Sequence, residues 1–418
     1  MNFCQTYTMK KMDNITLVVP SHNNLRHLKN AYESIKKHAP KSEVILLDDG
    51  SNDGTWEWIC ELAESHQHPE VKAYQSKERV GHTILYDKGI QMATNDVVGI
   101  LHADMIIGPN YVENLLKHLK PGKVVCATRI EPPLHPEGRE KIIKDFGLDF
   151  DSLDIDSFEK YCLGVQDEYK DMTTNGMFAP WLLYKKDFET IGGHDPIFAP
   201  FPYEDSDLFQ RWILNGYELI QSRDSLVYHL TCRGHRWTDE IKKDSDDFKV
   251  FEKRARKNYL RKWGSWVKND AYQHPIISPV YHKTLVIDGT TVLNHIEFLE
   301  PFFNKILIHK KNKNVVWEFL QSENLLNGVE PKIECNLDYK FNYYDDNDVF
   351  LFDDTNVVVF LDVQNITNDD VNVITNLNDI VKDTNDIGEF EIGNLKVHVK
   401  NLKEYQNELI FSLVNINN

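Results

Sequence analysis

Between Asn14 and His102 the chain alternates short apolar runs with longer amphipathic segments, and this alternation limits the fold more than any other feature. The runs are Ile15–Val19, Val44–Leu47, Val71–Tyr74 and Val97–Leu101, each of strand length. Between them, Leu25–Lys37 sets Leu25, Leu28, Ala31, Tyr32 and Ile35 at helical spacing, and Thr55–Glu64 and Thr83–Ala93 read as further helices. A strand that is apolar along its whole length must be covered on both faces. The strand–helix repeat therefore predicts an α/β fold with a mostly parallel sheet flanked by helices.

Ligands of such sheets sit outside the carboxyl ends of the strands. Three of the predicted strands end in polar sets, Pro20-Ser21-His22-Asn23, Asp48-Asp49 and His102-Ala103-Asp104, which the fold would bring to one edge. Further on, the pattern predicts a helix from Tyr111, a strand over Val124–Thr128, and a loop with Pro132, Pro133 and Pro136. The acidic stretch Asp145–Asp171 is weakly periodic and reads as a mobile or acceptor-facing insertion. After it come the run Phe178–Tyr184, a Gly192-Gly193 turn, a helix over Glu204–Asn215 and a strand over Leu226–His229. An Arg- and His-rich loop, Leu230–Thr238, leads to a basic, aromatic-rich helix (Lys249–Trp266) that closes a first domain over 1–270. Around His274–Pro279 the composition shifts toward Asn, Asp, Lys and Ile. The apolar runs Thr284–Ile287, Lys305–His309 and Val357–Leu361 predict a smaller C-terminal α/β or α+β domain over 275–418. It carries no catalytic motif, and acceptor binding or homo-oligomer contact is its expected role.

Charge and cysteine usage narrow the partners. With 65 acidic against 47 basic residues the net charge is −18, so a polyanion is repelled over most of the surface and nucleic acid is excluded as the main partner. None of the six cysteines forms a C-x-x-C pair, which points to neither a zinc cluster nor a disulfide framework. The N-terminus lacks the apolar core of a signal peptide, and Ile15–Val19 is too short to span a bilayer, so no transmembrane segment is expected. The expected location is cytoplasmic, or peripheral to a membrane.

Each polar constellation admits two readings. Asp49, with Asp48 and Asp53, can accept hydrogen bonds from a uracil imide or a ribose hydroxyl, but Asp-Gly-Ser is also a favourable turn. His102 and Asp104 alternate along a strand end and so share a face. A carboxylate-held Mg²⁺ or Mn²⁺ there would neutralise a departing diphosphate, and histidine favours Mn²⁺. A strand-end aspartate equally caps a turn. Glu204, Asp205 and Asp207 open a helix, where acids suit the dipole; they can also include the general base for an attacking hydroxyl, with the structural role weighing more for Asp207 than for Asp205. His229 ends a strand, and Arg233, His235 and Arg236 after it suit a diphosphate or a solvated loop.

The stretches ITLVVPSHNN, VILLDDGSNDGT, RVGHTILYDKGIQMATNDVVGILHADM, IGGHDPIFAPFPYEDSDLFQRWILNGYEL and VYHL follow one another within residues 14–240. Together they resemble a family 2 glycosyltransferase. The resemblance implies the GT-A fold, with its Rossmann-like, mostly parallel sheet, and an inverting transfer from a nucleotide-diphosphate donor, a UDP-sugar, to the hydroxyl of a saccharide or other acceptor. It implies a divalent metal, Mn²⁺ or Mg²⁺, on Asp104 and His229, with His102 beside them. Pro20 and Asp49 would lie along the nucleoside with Arg79 nearby, and Ala103 would line the donor. Asp205 would be the catalytic base, with Glu204 orienting it or binding acceptor, and Arg233, His235 and Arg236 would close over the diphosphate. The chain departs from the family's usual pattern at His102, where Asp or a small polar residue is usual, and at Asp87, where Asn or Arg is common. Neither the Gly-rich loop of a nucleotidyltransferase nor the G-x-G-x-x-G of a dehydrogenase follows the first strand. The alternative from another class is a non-catalytic nucleotide-sugar or glycan-binding module.

Overall fold

The apolar runs become strands buried on both faces. In β1 (Thr16–Ser21) and β2 (Glu43–Asp49) every residue is buried, whereas β3 (Glu70–Ser76), at the sheet edge, is only partly covered. β4 (Val97–Ile100) is again fully buried. Helices α1 (Leu25–His38), α2 (Thr55–Glu64) and α3 (His82–Met92) connect these four strands. There follow β5 (Met105–Ile107), α4 (Tyr111–Leu116), β6 (Lys123–Glu131), β7 (Lys141–Ile143), α5 (Ile155–Glu168), β8 (Thr173–Thr174), β9 (Trp181–Tyr184), α6 (Lys185–Thr190) and β10 (Glu218–His229).

The computed structural model describes residues 14–65, 70–233, 236–237, 240–324, 337–346, 348, 352 and 354–410. Within it the chain forms two compact units that interleave in sequence. The first comprises Met1–Thr190, Tyr217–Asp244 and Ala271–His274; the second comprises Ile191–Gly216, Ser245–Asp270 and Pro275–Asn418.

The first unit is built on a ten-stranded sheet in the order β3-β2-β1-β4-β9-β6-β10-β5, with β7 beside β6 and β8 beside β10. β5, β8 and β9 run antiparallel to their neighbours, and the other strands run together. This is the mostly parallel, helix-flanked sheet the alternation predicts. One face packs Leu17, Val19, Val44 and Leu46 against Leu28, Tyr32 and Ile35 of α1. On the other face α3 comes so close that a Cβ on Gly89 would lie 2.3 Å from Cγ1 of Val18.

The acidic stretch from Asp145 is not a free insertion. α5 buries Phe158, Cys162 and Val165 in a cluster with Ile106, Phe146, Leu226 and Tyr228. The acids do local work: Asp154 caps α5 through the Ser157 N–H, and Glu159 pairs with Lys37 (2.6 Å) and His38 (2.8 Å) on α1. Only Phe158, Cys162, Val165 and Gln166 of α5 are buried, so a cysteine and a glutamine stand where large apolar residues would mark the helix, which is why the sequence pattern hides it.

The second unit contains α7 (Glu204–Leu214), α8 (Asp246–Trp263), β11 (Lys283–Asp288), α9 (Leu293–Leu299), β12 (Lys305–His309), α10 (Lys313–Asn324), β13 (Phe341–Tyr344), β14 (Val357–Asp362), α11 (Asn368–Thr384), β15 (Gly388–Ile392) and β16 (Leu395–Val399). Its sheet has the order β13-β12-β11-β14-β16-β15, the first four strands parallel and β16 antiparallel to both β14 and β15. The three predicted C-terminal runs are β11, β12 and β14. Leu260 of α8 shares a core with Leu285, Ile287 and Val357, and Arg261 pairs with Glu300 (2.7 Å) and Glu323 (2.8 Å). These contacts group α8 with the C-terminal sheet, across the predicted boundary near residue 270. No helix of the described residues is long and apolar enough to cross a membrane.

Candidate active site

Parallel strands bring their carboxyl ends to one edge, and the first unit's polar sets collect there. His102-Ala103-Asp104 follows β4, and the Met105 N–H closes a turn onto the His102 carbonyl at 3.1 Å. The next residues form β5, which pairs antiparallel with the end of β10 so that Met105 faces His229. This pairing joins two motifs far apart in sequence. His102, Asp104 and His229 each offer one ligand atom, all within 4.8 Å of one another. His229 Nε2 stands 3.7 Å from Asp104 Oδ1. That is too long for a hydrogen bond but close to the ~3–3.5 Å between two ligands each ~2.1 Å from a shared cation. Two imidazoles and one carboxylate fit a divalent ion of the Mn²⁺ type.

The site is held from several sides. The ring of His102 stacks with His82 (6.3 Å between centroids) and Tyr86 (6.4 Å) of α3, and meets His229 edge-on at 5.7 Å. Asp104 is buried, and its Oδ2 accepts the backbone N–H of Arg233 at 3.2 Å. Its carbonyl accepts the N–H of Leu230 at 3.1 Å. Between these two contacts Thr231 (φ 62°) and Cys232 (φ 57°) adopt left-handed backbone, costly for non-glycine residues and for a β-branched one above all. The backbone strain aims Arg233 N–H back at the aspartate.

The next group belongs to no recognised motif. β10 lies parallel to β6 with Tyr228 opposite Ile130, so His229 falls beside Glu131. His229 Nδ1 donates to Glu131 Oε1 at 3.1 Å. The same carboxylate accepts Arg129 Nη1 at 2.7 Å and Lys141 Nζ at 2.9 Å, and Arg129 lies 3.6 Å from the centroid of the Phe178 ring. Burial works to raise the Glu131 carboxyl, but the hydrogen bond from His229 and the charges of Arg129 and Lys141 outweigh it and hold it well below the usual carboxylate range. The one available signal was the Arg129-x-Glu131 alternation at a strand end, which places both side chains on one face.

At the β1 and β2 ends, Pro20 pairs in register with Leu47, and Ser21 with Asp48. Asp48 and Asp53 follow the turn reading. Asp48 accepts the Ser51 N–H (3.2 Å) and Gln75 Nε2 (3.0 Å), and Asp53 accepts the Leu25 N–H (3.0 Å) at the start of α1. Asp49 instead reaches across to accept the N–H groups of Val80 (2.7 Å) and Gly81 (3.0 Å). The charge of Arg79 acts on the same carboxylate. The loop can come this close because Gly50, at φ 67°, has no Cβ; one would lie 3.3 Å from the Glu78 carbonyl carbon. Asp49 thus fixes Gly81, and the next residue, His82, stacks on His102, a continuous link between the two groups.

The other expected residues lie as follows. The Arg233 guanidinium donates to the Leu148 carbonyl at 2.9 Å and pairs with Asp149 at 3.4 Å, and His27 reaches the same Asp149 at 3.0 Å. Arg236 pairs with Asp244 through Nε at 2.8 Å. His235 lies outside the described residues. Glu204 and Asp205 belong to the second unit, in the first turn of α7, where Asp205 Oδ1 accepts the Ser206 N–H at 2.6 Å.

Residues 16–165 match the model of Glycosyl transferase family 2. This stretch belongs to that family. Among similar proteins, GlyG, a glycosyltransferase of Streptococcus pneumoniae, is 31% identical over 107 residues, 25% of this chain and 35% of its own length. A dolichol-phosphate mannosyltransferase of Pyrococcus furiosus is 26% identical over 114 residues, covering 27% and 32%. An undecaprenyl-phosphate 4-deoxy-4-formamido-L-arabinose transferase of Pectobacterium atrosepticum is 29% identical over 119 residues, covering 28% and 36%. The chain spans about a third of the length of these relatives. Of the solved structures, a mannosyltransferase from Pyrobaculum calidifontis, held with GDP-mannose and Mn²⁺, aligns over 59% of this chain and 64% of that one, at 18% identity and a TM-score of 0.40. The family 2 stretch contains β1 to β4, His102, Asp104 and Glu131; His229 lies beyond it and is joined to it by the β5–β10 and β6–β10 pairings.

Proposed function

We propose that the chain is an inverting glycosyltransferase that moves a sugar from a nucleotide-diphosphate donor, a UDP-sugar, to the hydroxyl of a saccharide or other acceptor. The observation that carries this reading is the meeting of His102, Asp104 and His229 at the carboxyl edge of a family 2 sheet. A divalent cation held by these three residues would supply Lewis-acid neutralisation of the diphosphate as the glycosidic bond breaks.

The nucleoside lies along Pro20 and Asp49 with Arg79 beside it, and Ala103 lines the turn under the donor. Arg233 exchanges its Leu148 and Asp149 partners for diphosphate oxygens, and with His235 and Arg236 it covers the leaving group and excludes water. Asp205 takes the proton of the acceptor hydroxyl, and Glu204 orients it or contacts the acceptor. The hydroxyl oxygen attacks the anomeric carbon from the side opposite the diphosphate, the glycosidic C–O bond breaks, and the anomeric centre inverts. The second unit's C-terminal sheet serves acceptor recognition or homo-oligomer contact, and the protein works in the cytoplasm or at a membrane surface.

The test is donor hydrolysis and transfer with a panel of UDP- and GDP-sugars, in Mn²⁺, in Mg²⁺ and in excess EDTA. Turnover is expected with a UDP-sugar in Mn²⁺, lost in EDTA and lost in Asp104→Asn. Full turnover in EDTA would remove the metal from the reading, and a GDP-sugar preference would replace the donor.

A further inference from the structure

The buried Glu131 carboxylate lies behind the candidate metal group and offers none of its three ligand atoms. A structural reading would make it only the counter-ion of Arg129 and Lys141. The geometry says more. Its Oε1 is shared by Arg129 Nη1 and His229 Nδ1, while Lys141 occupies Oε2. A carboxylate pinned by two cations offers no hydrogen, so the contact to His229 forms only when Nδ1 carries the proton. Nε2 then presents its lone pair, and it is Nε2 that stands 3.7 Å from Asp104 Oδ1.

The two neighbours of His229 differ in kind. On the Glu131 side the imidazole is fixed by a hydrogen bond to a buried network of Glu131, Arg129 and Lys141, each less than a tenth exposed. On the Asp104 side it faces a carboxylate oxygen across a gap of ligand spacing, with His102 edge-on beside it. An imidazole free to flip or change tautomer would turn a proton toward Asp104 and lose its donor atom.

We propose that Glu131 is a positioning residue, which holds His229 as the Nδ1–H tautomer with Nε2 aimed at Asp104 and His102 and thereby sets the affinity of this group for a divalent cation. The proposal rests on the reading of His102, Asp104 and His229 as a cation site. Arg129 and Lys141 hold the positioner, a layer further from the ligand atoms.

The test is Mn²⁺ binding to the full-length chain by titration calorimetry, with no donor present, in wild type, Glu131→Gln, Lys141→Met and His229→Ala. Groups that orient a ligating histidine typically carry 10–100-fold in affinity. Glu131→Gln is therefore expected to weaken Mn²⁺ by about 10-fold or more. Lys141→Met, which removes one of the two cations on the carboxylate and leaves the acceptor, is expected to weaken Mn²⁺ less than Glu131→Gln does. Wild-type affinity in Glu131→Gln together with loss in His229→Ala would overturn the positioning role and leave the cation site standing. Equal binding by wild type and His229→Ala would overturn the cation site itself and the proposal with it. A second measurement needs no Glu131 variant. Imidazole ¹⁵N shifts of the metal-free protein, assigned by their absence in His229→Ala, are expected to show a protonated Nδ1 at His229; a protonated Nε2 with bare Nδ1 would overturn the proposal.

Discussion

Asp205 and Asp207 lie two residues apart in the first turn of α7, and replacing each by asparagine separates chemistry from architecture. Asp207 is fully buried and accepts from Arg211 Nε (2.7 Å), Lys262 Nζ (2.6 Å) and Trp263 Nε1 (2.9 Å). Lys262 is shared with Asp195 at 2.7 Å. Burial works to raise the Asp207 carboxyl, but the charges of Lys262 and Arg211 outweigh it and lower it. Asn keeps the shape and removes the charge, leaving two buried cations short of one counter-charge. Breaking a buried pair in this way costs about 3–5 kcal/mol. At about 2–4 °C per kcal/mol for a unit of this size, melting should fall by about 6–20 °C. Because the folded carboxyl is depressed, the stabilisation is present above the unfolded value near 3.9 and is lost as pH falls through the folded one, so wild type and Asp207→Asn should converge only in acid. Asp205 is half-buried, and its Oδ1 accepts the N–H of its neighbour Ser206 at 2.6 Å. Asp205→Asn should hold stability within about 1 kcal/mol, the scale of a helix-terminal charge, while turnover falls about 10²–10⁴-fold. Calorimetric melting and donor turnover measured on the same preparations decide both. An Asp207→Asn protein that melts with wild type would refute the network argument, and near-normal turnover in Asp205→Asn would remove the base.

Two further outcomes follow from packing and charge. Gly89→Ala gains about 1 kcal/mol of helix propensity but drives a Cβ to 2.3 Å from Val18 Cγ1, at an overpacking cost of about 1–3 kcal/mol. Val18 is fully buried and stiff at χ1, so a net loss is expected in urea melts, and a gain would mean that α3 can lift off the sheet freely. Lys283 is fully buried against the Gly264 carbonyl (3.0 Å) and Asn378 Oδ1 (2.7 Å), and burial pushes its amine down to about 7. Below pH 7 it is charged in both states and the folded state bears the full cost. Between about 7 and 10.5 the unfolded chain binds the extra proton, so stability rises with pH by up to about 1.4 kcal/mol per unit. Urea melts at pH 7, 8 and 9 should show wild type gaining on Lys283→Met, and parallel curves would contradict the burial argument.

How much of this was legible depends on the range of the interaction. β1, β2 and β4 carry apolar runs because both their faces are buried, and that pattern is local enough to read. The antiparallel strands were not legible as such. Met105–Ile107 is three residues long, and Trp181–Tyr184 is an apolar run whose direction only its neighbours β4 and β6 reveal. β10 extends back to Glu218, because the polar positions Gln221, Ser222, Asp224 and Ser225 are buried and satisfied by side-chain bonds, as in Ser222 to Asp224 at 2.7 Å, and so read as loop. α5 was hidden because Cys162 and Gln166 interrupt its buried apolar face.

The same distinction of range explains the site. Asp104 and His229 could each be suspected from a strand end, but what makes them a pair is β5, the short strand that carries Asp104 beside the last residue of β10. Glu131 has no motif at all, and its importance is a matter of register. A one-residue slip between β6 and β10 would turn the carboxylate to the opposite face and leave Nδ1 of His229 without its acceptor. His102, the departure from the usual family pattern, is accommodated by α3, whose His82 and Tyr86 rings stand beside it. An aspartate there would have no ring to stack on them. The substitution therefore belongs with the aromatic start of α3, and through Gly81 with Asp49. On this argument the imidazole at position 102 and the loop held by Asp49 form one mechanical element. A change in either is felt where the diphosphate and the nucleoside of one donor would have to be gripped together.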